Sequence, residues 1–457
     1  MRFVIDSSWW RRSSSDGETL VAGSPLRVMR LTPRATALLD ALEQGLDVSD
    51  HAGSNREGAL IDRLVENGAI HPTPDDATDH CFHIADVTVV VPAHNERHHD
   101  LETLVRTLGD AKRVIIVDDG STIPLAPVAG ADVVRRDAMG GPGAARNTGL
   151  AMVDTELVLF VDADVSWEDD AWTILLAHFD DERVAAVAPR VKSNPGSSLL
   201  ARYESGSSPL DLGADPARVR ARTRVSYVPA AAILVRVDSL RAVDGFDASL
   251  RYGEDVDLVW RLDEAGHTCR YEPQAVVFHR PRSNWVDAWR QRVSYGSAAA
   301  ALDERHRGAV TPLRINRWSA AAWGLVGLGH VVIGAITGAC STVMLVRKLG
   351  NVTDRVPIAM RLAGRGNLHA GRLIASALTR AWWPITLCAC LVSRRARRMA
   401  LIAAVVPNVA TWLTARPDVD VLRYVALRVA DDVAYGTGVW KGALARRRAG
   451  ALVPTLD

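Results

Sequence analysis

Four short runs of almost uninterrupted apolar residues constrain this chain more than any other feature: VTVVVP (87–92), RVIIVD (113–118), ADVVRR (131–136) and ELVLFVD (156–162). A strand with one face in water alternates apolar and polar residues, whereas a run that does not alternate is buried on both faces, as in a parallel sheet covered by helices. The intervening segments are long enough for crossover helices, so a Rossmann-like, doubly wound α/β domain is expected over residues 81–313. Open sheets of this kind bind ligands outside the carboxyl ends of their strands. Acids stand at those ends: Asp118 and Asp119 after VIIV, and Asp162 and Asp164 after LVLF. Glu254 and Asp255 follow Tyr252-Gly253 later in the chain. One strand-end carboxylate is commonly a helix cap, but three acidic pairs exceed what capping requires.

The flanks have a different texture. In residues 1–70, Thr32-Pro33 is a helix start, with a hydroxyl cap and Pro at the first helical position. Ala35, Leu38, Leu39 and Leu42 then share a face, and Gly45 closes the helix. A second helix runs from about Arg56 through Leu60, Ile61, Leu64 and Val65 to Gly68. With the apolar Ala69-Ile70 end, the pattern suggests a winged helix, and the polar, Pro-containing stretch 71–80 reads as a linker. From residue 314 onward, 20 Lys and Arg stand against 6 Asp and Glu. The whole chain carries only +1, so the front is correspondingly acidic. That asymmetry argues against nucleic acid as a partner and favours a tail that meets an anionic membrane surface. Residues 318–346 hold no Lys, Arg, Asp or Glu over 29 positions, long enough to span a bilayer. The stretches 381–393 and 399–415 read as too short or too broken, and basic residues flank all three without a side preference. A membrane-docked, partly re-entrant or interfacial bundle is therefore expected over 314–457. The five cysteines form no CxxC pair, and the polar N-terminus offers no signal-peptide core, so a cytoplasmic location at the inner membrane face is expected.

Asp162-Ala163-Asp164 at a strand end can aim one carboxylate at a divalent cation and the other at a sugar or ribose, and Mg²⁺ or Mn²⁺ suits oxygen ligands shared with phosphates. GGPGAARN (140–147) reads as a loop entering a helix, where small residues allow close approach and Arg146 can face phosphate or base. It fits neither a P-loop nor a dinucleotide fingerprint, which excludes P-loop kinases and dehydrogenases.

The order VVVPAHNE (89–96), VDDGS (117–121), GPGAARNTGL (141–150), FVDADV (160–165), GFD (245–247) and YGEDVDLVWRL (252–262) resembles family-2 glycosyltransferases of the GT-A fold. That resemblance implies a nucleotide-sugar donor, a divalent metal and an inverting displacement. It implies that Pro92, Ala93, Glu96, Asp118, Asp119, Arg146 and Asp162 hold the donor and that Asp164 ligates the metal. Asp255 would be the general base, with Glu254 beside it on the acceptor side. His279, at the end of AVVFH (275–279), would be a further metal ligand. Processive members carry Q-x-x-R-W before a membrane segment; the nearest string here is Arg314-Ile315-Asn316-Arg317-Trp318, which makes Arg317 and Trp318 acceptor-side candidates and leaves processivity open. Residues 289–306 offer an alternative acceptor helix. The order of leader, core and basic apolar tail is similar to the glycosyltransferases of mycofactocin biosynthesis, and the leader (1–80) looks like PqqD-type peptide-binding units. The implied reaction adds glucose, from UDP-glucose, in β-1,4 linkage to a peptide-derived redox cofactor. A lipid or cell-wall polysaccharide acceptor is the alternative.

Overall fold

A computed structural model describes residues 2–14, 17–46, 48, 56–73, 80–168, 171–282, 284–350, 352 and 354–457. The chain divides into two compact units, with the main boundary between Pro281 and Arg282 and with residues 196–206 joining the second.

The apolar runs form strands β6 (Val87–Ala93), β7 (Arg113–Asp118), β8 (Asp132–Arg135) and β9 (Leu157–Val161). β6 pairs in parallel with both β7 and β9, and β7 with β8. Their side chains divide by the two-residue period of a strand. Val89, Val91, Leu157 and Leu159 enter one core, while Val90, Val158 and Phe160 enter the other. Helix α3 (His98–Thr107) supplies Leu101 and Leu104 to the first core. Helix α4 (Pro142–Leu150) supplies Ala145 and Leu150 to the second. β10 (Val165–Trp167), α5 (Ala171–Leu176) and β11 (Val184–Ser193) follow. Then come β12 (Ala217–Val219), β13 (Ala232–Arg236), α7 (Val237–Ala242), α8 (Glu254–Glu264) and β14 (Thr268–His279), with α6 (Leu199–Ser205) in the second unit.

The parallel sheet expected from the apolar runs is in fact mixed. Its order is β10-β14-β11-β13-β9-β6-β7-β8, with β12 beside β14. β13 runs antiparallel to both neighbours, β9 and β11, although AILVR is as apolar as the parallel strands. Burial on both faces sets composition, and direction comes from the connections. The reversed β13 brings its amino end, Ala230-Ala231, to the edge where β6, β7 and β9 end, with Asp162 donating its N–H to the Ala231 carbonyl at 2.9 Å.

Upstream, β1 (Arg2–Ile5), β2 (Trp10–Ser14), β3 (Gly17–Ala22) and β4 (Arg27–Leu31) precede α1 (Pro33–Glu43) and α2 (Arg56–Glu66), and β5 (Ile70–Thr73) closes the segment. Thr32 caps α1 by accepting the Ala35 N–H, as its position suggested. Ala69-Ile70 does not begin a local hairpin: β5 pairs with β1 at the far end of the segment. β2, β3 and β4 make a separate sheet. The expected linker starts inside β5, and residues 74–79 lie outside the described residues. Asp62 of α2 meets Arg183 at 3.1 Å and Asp6 meets Arg224 at 3.1 Å, so the leader and the sheet domain share one unit.

The second unit holds α9 (Trp285–Ser297), α10 (Ala299–Arg305), β15 (Arg314–Ile315), α11 (Arg317–Gly327), α12 (Val331–Lys348), α13 (Arg355–Thr379), α14 (Trp383–Val392), α15 (Arg394–Ala415), α16 (Val421–Arg446) and β16 (Thr455–Leu456). It begins before residue 314 because α9 lies directly on α16: a Cβ at Gly296 would stand 2.0 Å from the Tyr435 carbonyl. The 29-residue apolar run is not one helix. Gly329, with φ +90°, and His330 separate α11 from α12, and a left-handed residue cannot continue a right-handed helix. Conversely, α15 runs unbroken for 22 residues through Pro407. By length and composition α12 and α15 could each cross a membrane, and α13 with α14, bent by 84°, could make a third passage.

Candidate active site

The parallel direction of β6, β7 and β9 gathers Pro92, Ala93, Asp118, Asp119, Asp162 and Asp164 at one sheet edge. Their environments differ. Asp118 accepts hydrogen bonds from the Ser121 N–H at 2.8 Å, the Leu125 N–H at 3.2 Å and Arg135 at 2.6 Å. Burial alone would raise its pKa; these donors outweigh burial and hold it below the usual carboxylate range. Asp119 binds Arg136 and accepts the Gly140 and Gly141 N–H groups at 2.9 and 2.7 Å. The Asp119 carboxylate thus shapes the loop that leads into α4, and the Asp118 carboxylate the turn that follows β7. Gly141, with φ +90°, makes the turn into that helix. Glu96 lies in the loop after β6, close enough to act electrostatically on Arg280.

Asp164 and His279 are 115 positions apart in sequence, yet the antiparallel β10–β14 pair sets Val165 opposite His279. His279 Nε2 then lies 3.1 Å from Asp164 Oδ2, and the Arg280 N–H bonds the Asp164 carbonyl at 3.1 Å. An imidazole nitrogen and a carboxylate oxygen side by side offer a mixed donor pair to a divalent cation. Asp162, two residues earlier, accepts from Arg146 Nη2 at 2.7 Å. Desolvation, then the charge of Asp164, pushes the Asp162 pKa up against the opposing pull of Arg146.

Glu254 and Asp255 occupy the first turn of α8, aimed there by Gly253 at φ +79°. The Glu254 side chain is buried and pairs with Arg146 Nη1 at 2.8 Å. Asp255 is half-buried; its Oδ1 accepts the Val256 N–H at 2.8 Å and its Oδ2 the Ala230 N–H at 3.3 Å. Burial raises both carboxyls, and for Glu254 the neighbouring Asp255 charge adds to it. A carboxylate with elevated proton affinity, held by backbone donors at a site edge, is suited to accept a proton from a hydroxyl.

Arg317 and Trp318 belong to the second unit, where they open α11 behind an Asn316 cap; Trp318 is 43% exposed. No local sequence pattern singles out Arg135 and Arg136, which bind Asp118 and Asp119 respectively. Arg280 bonds Asp100 at 2.8 Å, with Asp164 and Glu96 nearby. Arg280 carried a signal, since it directly follows His279 at a strand end.

The glycosyl transferase family 2 model matches residues 88–241. The pre-mycofactocin glycosyltransferase of Mycobacterium tuberculosis (strain ATCC 25618 / H37Rv) is 40% identical over 97% of this chain and 96% of its own length. The poly-beta-1,6-N-acetyl-D-glucosamine synthase of Staphylococcus aureus (strain COL) is 23% identical over 46% of this chain and 53% of its own. Among solved structures, a mannosyltransferase from Pyrobaculum calidifontis in complex with GDP-Man and Mn²⁺ matches with a TM-score of 0.44 at 15% identity, covering 84% of this chain and 93% of that one. With six ordered motifs built around one sheet edge, and a relative matched almost from end to end, the chain belongs to glycosyltransferase family 2, among the pre-mycofactocin glycosyltransferases.

Proposed function

We propose that the chain is an inverting, metal-dependent hexosyltransferase that moves glucose from UDP-glucose onto premycofactocin, a peptide-derived cofactor precursor, and builds a β-1,4-linked oligoglucoside. The observation that carries this reading is the meeting of Asp162, Asp164 and His279 with the Glu254–Asp255 turn at one end of the sheet, through Arg146. Asp255 takes the proton of the acceptor hydroxyl. The freed oxygen lone pair forms the bond to the anomeric carbon from the face opposite the diphosphate. The carbon–oxygen bond to the diphosphate breaks, and UDP leaves with that electron pair. An α-linked donor thereby becomes a β-glycoside. Asp162 and the two loops shaped by Asp118 and Asp119 orient the donor, with Pro92, Ala93 and Glu96 lining the nucleotide side.

The donor set at Asp164 and His279 fits Mg²⁺ or Mn²⁺ shared with a diphosphate. Among the described residues no three His, Cys, Asp or Glu side chains gather into a closed metal site, so water and phosphate oxygens would complete the coordination. The metal, when bound, supplies positive charge against the leaving diphosphate.

The leader is assigned to acceptor recruitment, supported by β4, an edge strand of its sheet. The basic, apolar helices of the second unit are assigned to the cytoplasmic face of the membrane, supported by the lengths and compositions of α12 and α15. Those same helices favour the second reading, a lipid or polysaccharide acceptor. Mass spectrometry of small-molecule pools from cells with and without the gene separates the two. A hexose ladder on a peptide-derived cofactor that vanishes on deletion and returns with wild type but not D255N supports the proposal. An unchanged ladder refutes the acceptor.

A further inference from the structure

Arg146 stands in the loop-to-helix motif that the family resemblance assigns to the donor, yet its side chain is turned entirely inward. Only 3% of it is exposed. Nη1 donates to Glu254 Oε1 at 2.8 Å; Nη2 donates to Asp162 Oδ1 at 2.7 Å and to the Ala230 carbonyl at 3.2 Å. The Phe246 ring lies 5.4 Å from the guanidinium carbon, and Nε is buried without a hydrogen-bond partner among the described residues. A guanidinium so enclosed presents no surface to a nucleotide. Its partners come from three elements. Asp162 follows β9, Glu254 opens α8, and Ala230 leads into β13. The same Ala230 donates its N–H to Asp255 Oδ2, and the neighbouring Ala231 carbonyl accepts the Asp162 N–H. One cation therefore closes a ring that runs from Asp162 through the β13 entry to the Glu254–Asp255 turn.

We propose that Arg146 is a positioning residue which locks the Glu254–Asp255 turn to Asp162 and does not grip the donor nucleotide. The planar fork explains why Arg and not Lys serves here, since two carboxylates and a carbonyl must be met in one plane from a single stem. The arginine's charge also favours the ionised form of Asp255 against burial; Glu254, Asp162, Asp164 and His279 are the other charged or titratable groups of the cluster. The inference rests on the reading of Asp255 as the base.

The test compares wild type, R146M, R146K and D255N in steady-state turnover of UDP-glucose with the peptide-derived acceptor, alongside calorimetric binding of UDP with Mn²⁺. A lost anchor misplaces the base, so kcat of R146M is expected to fall about 100-fold while donor KM and UDP affinity stay within about threefold. The acidic limb of its kcat–pH profile moves up by about one pH unit, because a favourable charge has gone. R146K keeps the charge and loses the fork, so its kcat falls while its limb stays in place. A merely structural role would leave both limbs unmoved. An UDP affinity weakened about tenfold or more in R146K, with kcat preserved, assigns Arg146 to the donor and overturns the inference. Should R146M fail to fold, the KM-against-kcat split of R146K decides alone. Turnover retained in D255N would instead refute the underlying assignment of the base, and is read independently of either Arg146 variant.

Discussion

Replacing Asp255 with Asn removes the proposed base while keeping nearly the same shape. In the native site Oδ1 accepts the Val256 N–H and Oδ2 the Ala230 N–H, at 2.8 and 3.3 Å. An amide can accept only one of these; its NH₂ then faces the other N–H, at a cost of about 1 kcal/mol. Against that, the variant no longer buries a charge beside Glu254. Folding raises the Asp255 pKa above its ordinary value of 3.8, so the native state holds the proton more tightly than the unfolded chain. Wild-type stability is therefore full below that value and declines as pH rises through the window up to the folded pKa. The Asn variant lacks this decline. We expect its melting temperature to gain on wild type as pH rises above about 4, with a net change near neutrality of about 1 kcal/mol or less. Turnover should fall by about 10²–10⁴, the usual worth of a positioned general base, or about 3–5 kcal/mol of barrier. Thermal melts across pH together with product mass spectrometry test both arms. A variant that keeps turnover within tenfold, or that loses ground to wild type as pH rises, would refute the reasoning.

Chelation by EDTA should abolish transfer, with Mn²⁺ or Mg²⁺ restoring it; H279A should need about tenfold more metal for half-maximal rate, since one of the two proposed protein ligands is gone. G149A should lower the melting temperature: a Cβ there would lie 2.3 Å from Val90 Cγ1, and overpacking of about 1–3 kcal/mol exceeds the gain in helix propensity. In flotation assays the chain should follow vesicles containing phosphatidylglycerol more than neutral ones, with the difference shrinking in high salt, because 20 Lys and Arg oppose 6 acids after residue 313. Equal partition into both vesicle types would remove the electrostatic part of that assignment.

Much of the candidate site is legible in the sequence, for a local reason. The strand runs, the glycine-rich entry to α4, the Asp162–Asp164 pair and the Gly253-Glu254-Asp255 turn are contiguous segments, and the chemistry of a strand end or helix start is written within a few residues. Thr32 and Gly68 marked helix ends for the same reason. Burial composition, by contrast, says nothing of direction, so the antiparallel course of β13 could not be read from AILVR, nor the pairing of β1 with β5 from either strand. An apolar count does not register a single left-handed glycine, and the break at Gly329 divided a run that looked continuous.

The sequence by itself determined which groups are available and which secondary elements carry them, because side-chain periodicity and capping act over one or two turns. Only the tertiary structure decided who meets whom. Sheet register set His279 against Asp164 across 115 residues, and the reversed β13 delivered Ala230 to Asp255. Enclosure turned the Arg146 guanidinium inward, onto Asp162, Glu254 and the Ala230 carbonyl. Those outcomes depend on long-range pairing and on the exclusion of water, which no local pattern encodes.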